Sequence, residues 1–394
     1  MPIRLVAILL TALTFALPGW SGAEPIDLRA SSRVQQKLES AIAELGKGNV
    51  KQADAMLQEL LKEDPTHVYA LLARARIAIG DGRIAAADRT VASVLEKQQQ
   101  LPEGYNMRGV VLLIQKRNDE AAKAFRRAIE LRPAYVTPQF YLAAIARAKG
   151  DHAEAAREFK ALTAVAPGIP SGYLGQAEAY MMLRNPAEAF KILQAWKAVP
   201  KSGSMPYHVI ANIYTAQKEP AKAIQELQAA NTKFPSDTAT LTYLGDAYIA
   251  SQDTQKAMES YRLAVKADAR NAVATNNLAW LLMEGARDNA ALSEALALAE
   301  TAVSQEPAYV DGLDTLGRIY YRRADYPKSV SALSTARKLA PERMDIAAQL
   351  GLAYAKVGSK TQALTELRAA LASKAQIPNR PELERVVKEL SATR

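Results

Sequence analysis

The chain has 394 residues, 50 basic against 41 acidic, a net charge of +9, and 49% hydrophobic but only 6% aromatic residues. It contains no cysteine, which excludes disulfides, thiolate metal sites, cysteine nucleophiles and lipid attachment through sulfur. Few aromatics with abundant Ala and Leu point to an all-α array rather than to several mixed globular domains.

In chain order the first element is a leader. "MPIRLVAILLTALTFALPGWSGAEP" places Arg4 before an apolar run from Leu5 to Leu17, then a helix-breaking Pro18-Gly19 and small residues at Ser21 and Ala23. This is the form of a secretory signal peptide over 1–23. Its thirteen apolar residues fall short of the roughly 20 that cross a bilayer as a helix. The expected location is therefore periplasmic or secreted, with no lipobox cysteine and no transmembrane segment in the mature chain. Residues 24–33 read as a short lead-in.

From Val34 the chain repeats itself every 34 residues. "AYVDGLDTLGRIYYRRADYPKSVSALSTARKLAP", Ala308 to Pro341, and "AYVTPQFYLAAIARAKGDHAEAAREFKALTAVAP", Ala134 to Pro167, open and close alike. Ten units span 34–377, starting at Val34, Val68, Pro102, Val136, Pro170, Ser204, Thr238, Ala272, Val310 and Met344, with four extra residues in the eighth. Each has two apolar-periodic stretches around a short polar break, so it reads as helix, turn, helix. The eighth position is Ala or Gly in every unit, as at Gly109, Gly245, Gly317 and Gly351, and the twentieth is Ala or Ser, as at Ala121, Ala155, Ala257 and Ser329. Small residues are expected where two helix axes come closest. Larger ones then fill the remaining interface: Leu142 and Leu316 at position seven, Tyr248 and Tyr320 at eleven, Phe125, Phe159 and Tyr261 at twenty-four. Pro65, Pro133, Pro167, Pro235, Pro307 and Pro341 end second helices, because proline cannot donate to the ladder. Gly48, Gly82, Gly150 and Gly358 fall in the turns, where glycine accepts positive φ. Beyond the tenth unit, "RPELERVVKELSAT" gives one more amphipathic helix, expected to cap the stack over 378–394.

The pattern resembles the tetratricopeptide repeat, with its L-G, Y, A, F and P markers at a 34-residue period, four of them in "LTYLGDAYIASQDTQKAMESYRLAV". The resemblance covers Val34 to Ile377. It implies an all-α TPR solenoid, a right-handed superhelix whose concave face is lined by positions two, five, nine and twelve of each first helix. In the first half those positions are largely apolar, with Leu38, Leu72, Val110 and Phe140, interrupted by Arg76 and Arg147. In the second half they turn polar, and His208, Asn212, Asp246, Asn276, Trp280, Asp314, Arg318 and Tyr321 are the expected partner-binding residues. Asn and Arg beside aromatics can clasp an extended peptide or stack on sugar rings. The Lys, Asn and Arg set with which chaperone-binding members hold two carboxylates does not occur at matching positions, which disfavours a C-terminal carboxylate as ligand. The run "NNLAWLLMEGARDNAALSEALALAETAVSQEPAYVDGLDTLGRIYYRRADYPKSVSAL" is similar to envelope TPR proteins associated with bacterial exopolysaccharide production and PEP-CTERM sorting.

Catalytic signals are nearly absent. His67, His152 and His208 are isolated, and no HExxH, GxSxG, P-loop or dinucleotide fingerprint occurs. Glu154 and Glu158, one turn apart, read as a solvated face. No enzyme, cofactor or metal is expected. Charges alternate without a basic block, so nucleic acid is not an expected partner, although weak attraction to anionic polysaccharide or lipid headgroups fits the net charge. The sequence thus reads as a scaffold for protein partners of the cell envelope, in an assembly that makes or exports polysaccharide. The alternative is a holdase that captures extended polypeptide in transit.

If the leader is cut where Ser21 and Ala23 place the small-residue positions, the mature chain starts at Glu24. Intact mass of the protein recovered from the periplasm should equal that of residues 24–394; a membrane-bound form retaining Met1 would contradict the cut.

Overall fold

A computed structural model describes residues 32–392 except 288, 376 and 378. The leader at 1–23, most of the lead-in at 24–33, and residues 378, 393 and 394 of the C-terminal segment lie outside the described residues. Within the described residues there are 21 α-helices and no strand. The chain divides into two compact units between Ser202 and Gly203.

The first unit holds five helical pairs: α1 (Ser32–Gly46) with α2 (Val50–Glu63), α3 (Val68–Gly80) with α4 (Ile84–Lys97), α5 (Pro102–Ile114) with α6 (Asn118–Leu131), α7 (Val136–Ala148) with α8 (His152–Val165), and α9 (Pro170–Met182) with α10 (Pro186–Lys197). The second holds five more: α11 (Met205–Ala216) with α12 (Pro220–Lys233), α13 (Thr238–Ala250) with α14 (Thr254–Ala267), α15 (Ala272–Gly285) with α16 (Asn289–Gln305), α17 (Val310–Arg322) with α18 (Tyr326–Leu339), and α19 (Met344–Lys356) with α20 (Lys360–Ala372). A last helix, α21 (Arg380–Ala392), follows. Helices pack mainly on their neighbours in the chain and on the helix two places along, the arrangement of a solenoid.

Local chemistry starts and stops these helices. Asp151, Asp237, Asp253 and Asn271 cap α8, α13, α14 and α15 by accepting a hydrogen bond from the backbone N–H three residues on, at 2.9 to 3.1 Å. Pro65, Pro133, Pro167, Pro235, Pro307 and Pro341 each stand two residues past the end of a second helix. Between paired helices of nine repeats the fifteenth residue is left-handed, and the following N–H bonds the carbonyl at position eleven, as from Arg117 to Leu112 and from Asp325 to Tyr320, both 2.9 Å; in the eighth it is Ala286, in extended backbone. Gly48, Gly82, Gly150 and Gly358 supply that residue in four repeats, with φ from 74° to 82°. In five others it is Lys116, Arg184, Lys218, Gln252 or Ala324, with φ from 57° to 65°. The turn therefore does not depend on glycine: the helix-ending hydrogen bonds hold ordinary residues there against a cost of about 1–2 kcal/mol each.

The core is a seam of small residues. Every position-twenty residue, from Ala53 to Ala363, has no exposed surface, Ser329 included. Ser329 satisfies its hydroxyl by donating to the Gly317 carbonyl at 2.8 Å. Positions eight and twenty-four trade bulk. A Cβ on Gly245 would lie 2.3 Å from the Tyr261 ring, on Gly109 2.4 Å from Phe125, and on Gly317 2.5 Å from Leu333. Phe159 is matched differently: Ala143 faces it in its own repeat, and Gly175 of the next repeat leaves the room, since a Cβ there would lie 2.3 Å from the ring. Phe125 instead stacks on Tyr141 of the following repeat, ring centroids 4.9 Å apart.

The four extra residues of the eighth repeat lengthen its second helix, α16, to 17 residues where most second helices have 14. Arg322 and Arg323 of the next repeat tie this segment down, Arg322 donating to the carbonyls of Met283 and Ala286 and Arg323 to the Ser293 hydroxyl. At the C-terminal end, Leu383 of α21 is buried against Leu367, Ala370 and Ile377, with Val386, Val387 and Leu390 half-buried beside it.

Gly317→Leu forces a side chain into the Leu333 contact, so it should destabilise the protein by roughly 1–3 kcal/mol. Lys338→Gln, on an exposed position, should melt like the native chain. Equal denaturation curves for the two variants would show that the seam tolerates bulk.

Candidate functional site

The first helices of repeats seven to ten, α13, α15, α17 and α19, border a cavity of about 550 Å³. Helical spacing makes its walls. Asn276 and Trp280 are four residues apart on α15, Asp314 and Arg318 four apart on α17, and each pair shares a face. Asp246 and Ile249 come from α13, and Arg343 and Asp345 from the start of α19. Tyr261 reaches in from α14, where its ring fills the seam beside Gly245 while its hydroxyl emerges at the cavity.

Two arginines are held in a lattice of carboxylates. Arg318 Nε donates to Asp314 Oδ1 at 2.8 Å, and its guanidinium lies 5.5 Å from the centre of the Trp280 ring. Arg343 forks onto Asp345, at 2.9 and 2.7 Å, and donates to Asp311 at 2.9 Å. Asp314 is buried, and that burial pushes its carboxyl above the ordinary range although Arg318 opposes the shift. Asp345 is held below the ordinary range by its hydrogen bonds from Arg343. Because Asp314 is so enclosed, removing Arg318 would strand a buried charge, so this pair belongs to the framework as much as to the binding wall.

Asp246 is different. It accepts hydrogen bonds from the Tyr261 hydroxyl at 2.6 Å and the Asn277 amide at 3.2 Å, but no cation lies against it among the described residues. The residue keeps a solvent-exposed surface, yet protein atoms crowd its carboxyl and raise its pKa. Asn276, 4% exposed, has a buried Oδ1 with no hydrogen-bond partner. Its amide nitrogen lies 3.4 Å from Asn277 Oδ1.

Of the eight residues expected from sequence to bind a partner, Asp246, Asn276, Trp280, Asp314 and Arg318 come together in this cavity. His208, Asn212 and Tyr321 do not line it. Tyr321 packs edge-on against Tyr326, centroids 5.5 Å apart, within the hydrophobic clusters at the C-terminal end. His208 is buried between α11 and α13: the Thr240 hydroxyl donates to Asp237, so His208 Nε2 must be the donor to Thr240 Oγ1 at 2.7 Å. Asn276 and Asp314 were also expected on an exposed face and are instead buried, because neighbouring first helices close over them. Leu38 and Leu72, expected on the same face in the first half, are core residues at 0% and 4% exposure. Sequence reasoning passed over Asn277, Asp311, Arg343 and Asp345. Asp311 and Asp345 stand at position two of their repeats, so the rule already in hand would have found them.

Among the described residues no three His, Asp or Glu side chains converge to hold a metal ion, and no helix is long and apolar enough to cross a membrane.

Models of the tetratricopeptide repeat match residues 44–109, 102–135, 142–203, 209–272 and 315–381. These matches cover well over half of the chain, which belongs to the tetratricopeptide-repeat family. A scaffold for protein–protein contacts is the general role of such repeats. No curated protein sequence matches. Among solved structures, the chain is similar to MamA of Desulfovibrio magneticus RS-1, 20% identical over 46% of this chain and 95% of that one, TM-score 0.37. It is also similar to a thermophilic TPR protein of Thermus thermophilus, 19% identical over 48% and 99%, TM-score 0.38. A third likeness is to the APC/C hetero-tetramer Cut9–Hcn1, 12% identical over 91% and 96%, TM-score 0.45. Likenesses of this degree concern the fold alone.

Burial pushes the His208 pKa below the ordinary imidazole value, with Asp237 opposing. In the unfolded chain the ring titrates at about 6.5, so as pH falls through that value the unfolded state takes up the proton first and stability declines, levelling off below the folded pKa. Asp246 and Asp314, whose raised values act in the opposite sense, are common to native and variant and cancel in a comparison. His208→Gln should therefore lose less stability than the native chain between about pH 7.5 and 5 in urea titrations. Parallel losses would show that the ring does not titrate with folding.

Proposed function

We propose that the protein is a non-catalytic scaffold of the bacterial envelope that holds a protein partner on the first-helix face of repeats seven to ten, in an assembly making or exporting polysaccharide. The observation that carries the binding part is the cavity of about 550 Å³, where an indole, two arginines, two asparagines and four aspartates converge. Aromatic and arginine side chains in partly desolvated pockets are where binding energy concentrates. The leader, ending in Ser21 and Ala23, and the resemblance of the region around Trp280 to envelope TPR proteins support the location and the pathway.

The test is crosslinking in intact cells, purification of the full chain and mass spectrometry of what accompanies it. A defined envelope protein should be recovered at fixed ratio. Recovery should fall at least about tenfold with Trp280→Ala, the loss expected of an interface hot spot. Because Trp280 also packs against the core, Ile249→Arg serves beside it: Ile249 is 40% exposed, so this change obstructs the cavity without opening the seam. Lys328→Gln with Lys338→Gln, on an exposed surface, should leave recovery unchanged. Loss with the lysine pair but not with the cavity variants would move the partner elsewhere. Recovery of many unfolded chains at no fixed ratio would replace the scaffold by a holdase.

A further inference from the structure

Two acceptor atoms in the cavity have no donor. Asp246 receives both of its hydrogen bonds, from Tyr261 and Asn277, on Oδ1, which leaves Oδ2 open. Asn276, almost wholly buried, presents an Oδ1 without a hydrogen-bond partner. A buried acceptor left unsatisfied costs about 1–3 kcal/mol, so a donor brought by a ligand would be favoured there. Turning the amide over would set its oxygen against Asn277 Oδ1, which its nitrogen now faces at 3.4 Å.

Charge leads to the same ligand. Asp311, Asp314 and Asp345 surround Arg318 and Arg343, and Asp246 stands apart with no counter-ion among the described residues, so four carboxylates face two cations. Burial raises Asp246, opposed only by the hydrogen bonds from Tyr261 and Asn277, whereas Arg343 holds Asp345 down. Asp246 is thus the one carboxylate of the four with no guanidinium against it, a position that suits a single cationic head. Ile249, Leu281 and Trp280 border the same cavity and offer apolar surface to a methylene stem.

Resting on the reading of this cavity as a partner-binding site, we infer that it takes one lysine or arginine side chain from an extended segment of a protein partner, the cationic head on Asp246 Oδ2 and Asn276 Oδ1 and the stem along Ile249 and Trp280. An acidic segment is excluded by the same charges.

The experiment measures binding of the full chain, by calorimetry, to end-blocked peptides of about 12 residues that are identical except for a central Lys, Arg, Ser or Glu, with spermidine as a separate probe; the cationic peptides should bind about tenfold tighter than the Ser peptide, as expected for a charge-assisted hydrogen bond, and the Glu peptide weakest. Asp246→Asn, which keeps an acceptor for Tyr261, should abolish the cationic preference and weaken the salt dependence of Lys-peptide binding. A preference that survives Asp246→Asn, or that favours Glu, overturns the inference. So does spermidine binding as tightly as the Lys peptide with the same dependence on Asp246, which would make a free polyamine the ligand. Should all four peptides bind equally and Trp280→Ala abolish all of them, the cavity remains a peptide site and only the charge inference falls; should none bind, the inference falls together with the reading beneath it.

Discussion

Two helices share a hydrophobic seam at close range only if neither presents much bulk where their axes approach. In this chain that constraint is met at positions eight and twenty of every repeat, and the rest of the structure depends on it. Position twenty is fully buried in all ten repeats, so in each of them this contact is closed to solvent. Bulk then moves to position twenty-four, where Phe125, Tyr261 and Leu333 occupy space that Gly109, Gly245 and Gly317 leave empty. Phe159 shows that the empty space need not come from the same repeat, since Gly175 of the next one supplies it. Packing of this kind is a matter of volumes summed across neighbouring helices, and one methylene in the wrong place is felt by both.

A seam that fixes first helices relative to one another also fixes what they carry. Asp246, Asn276 and Asp314 belong to three different repeats, yet a single cavity gathers them, and their side chains have different fates. Arg318 answers the charge of Asp314 within α17, and Arg343 pairs with both Asp311 and Asp345, which ties α17 to the start of α19. Asp246 is held only by neutral donors, one of them a tyrosine whose ring belongs to the core. Hydrogen bonds from Arg343 keep Asp345 easily ionised, whereas crowding by protein atoms pushes Asp246 the other way against its two neutral donors.

The period and the small-residue positions were legible because they obey local geometry that every repeat must satisfy. Five of the eight expected site residues also converge, since the heptad-like spacing of Asn276 with Trp280, or Asp314 with Arg318, is a property of one helix alone. What was not legible depends on rotation between repeats. Asn276 reads as a surface asparagine until its neighbours close over it. His208 looks like a groove histidine, whereas its partners Thr240 and Asp237 lie 32 and 29 residues on, at the start of α13. Tyr321 is drawn into packing with Tyr326 by the turn that follows its own helix. The left-handed turn residues illustrate a different limit: glycine signals such a turn when present, but Lys116 or Ala324 in the same conformation gives no sign in sequence, because the hydrogen bonds that impose it come from backbone.

The ties between repeats have a short reach along the chain. Arg108 finds Asp88 20 residues back, Arg337 finds Glu366 29 residues on, and Arg322 finds Ala286 36 residues back. Bringing such residues together closes only small loops, and the entropy of closure grows with loop length. A topology of this sort has low contact order, which is associated with fast folding. As the polypeptide emerges from its N-terminus, each completed hairpin is already next to the surface it must dock on, and no strand or helix waits for a partner hundreds of residues away. Order of synthesis and order of assembly can coincide, so that the nascent chain never exposes more than about one unpaired repeat of apolar surface at a time.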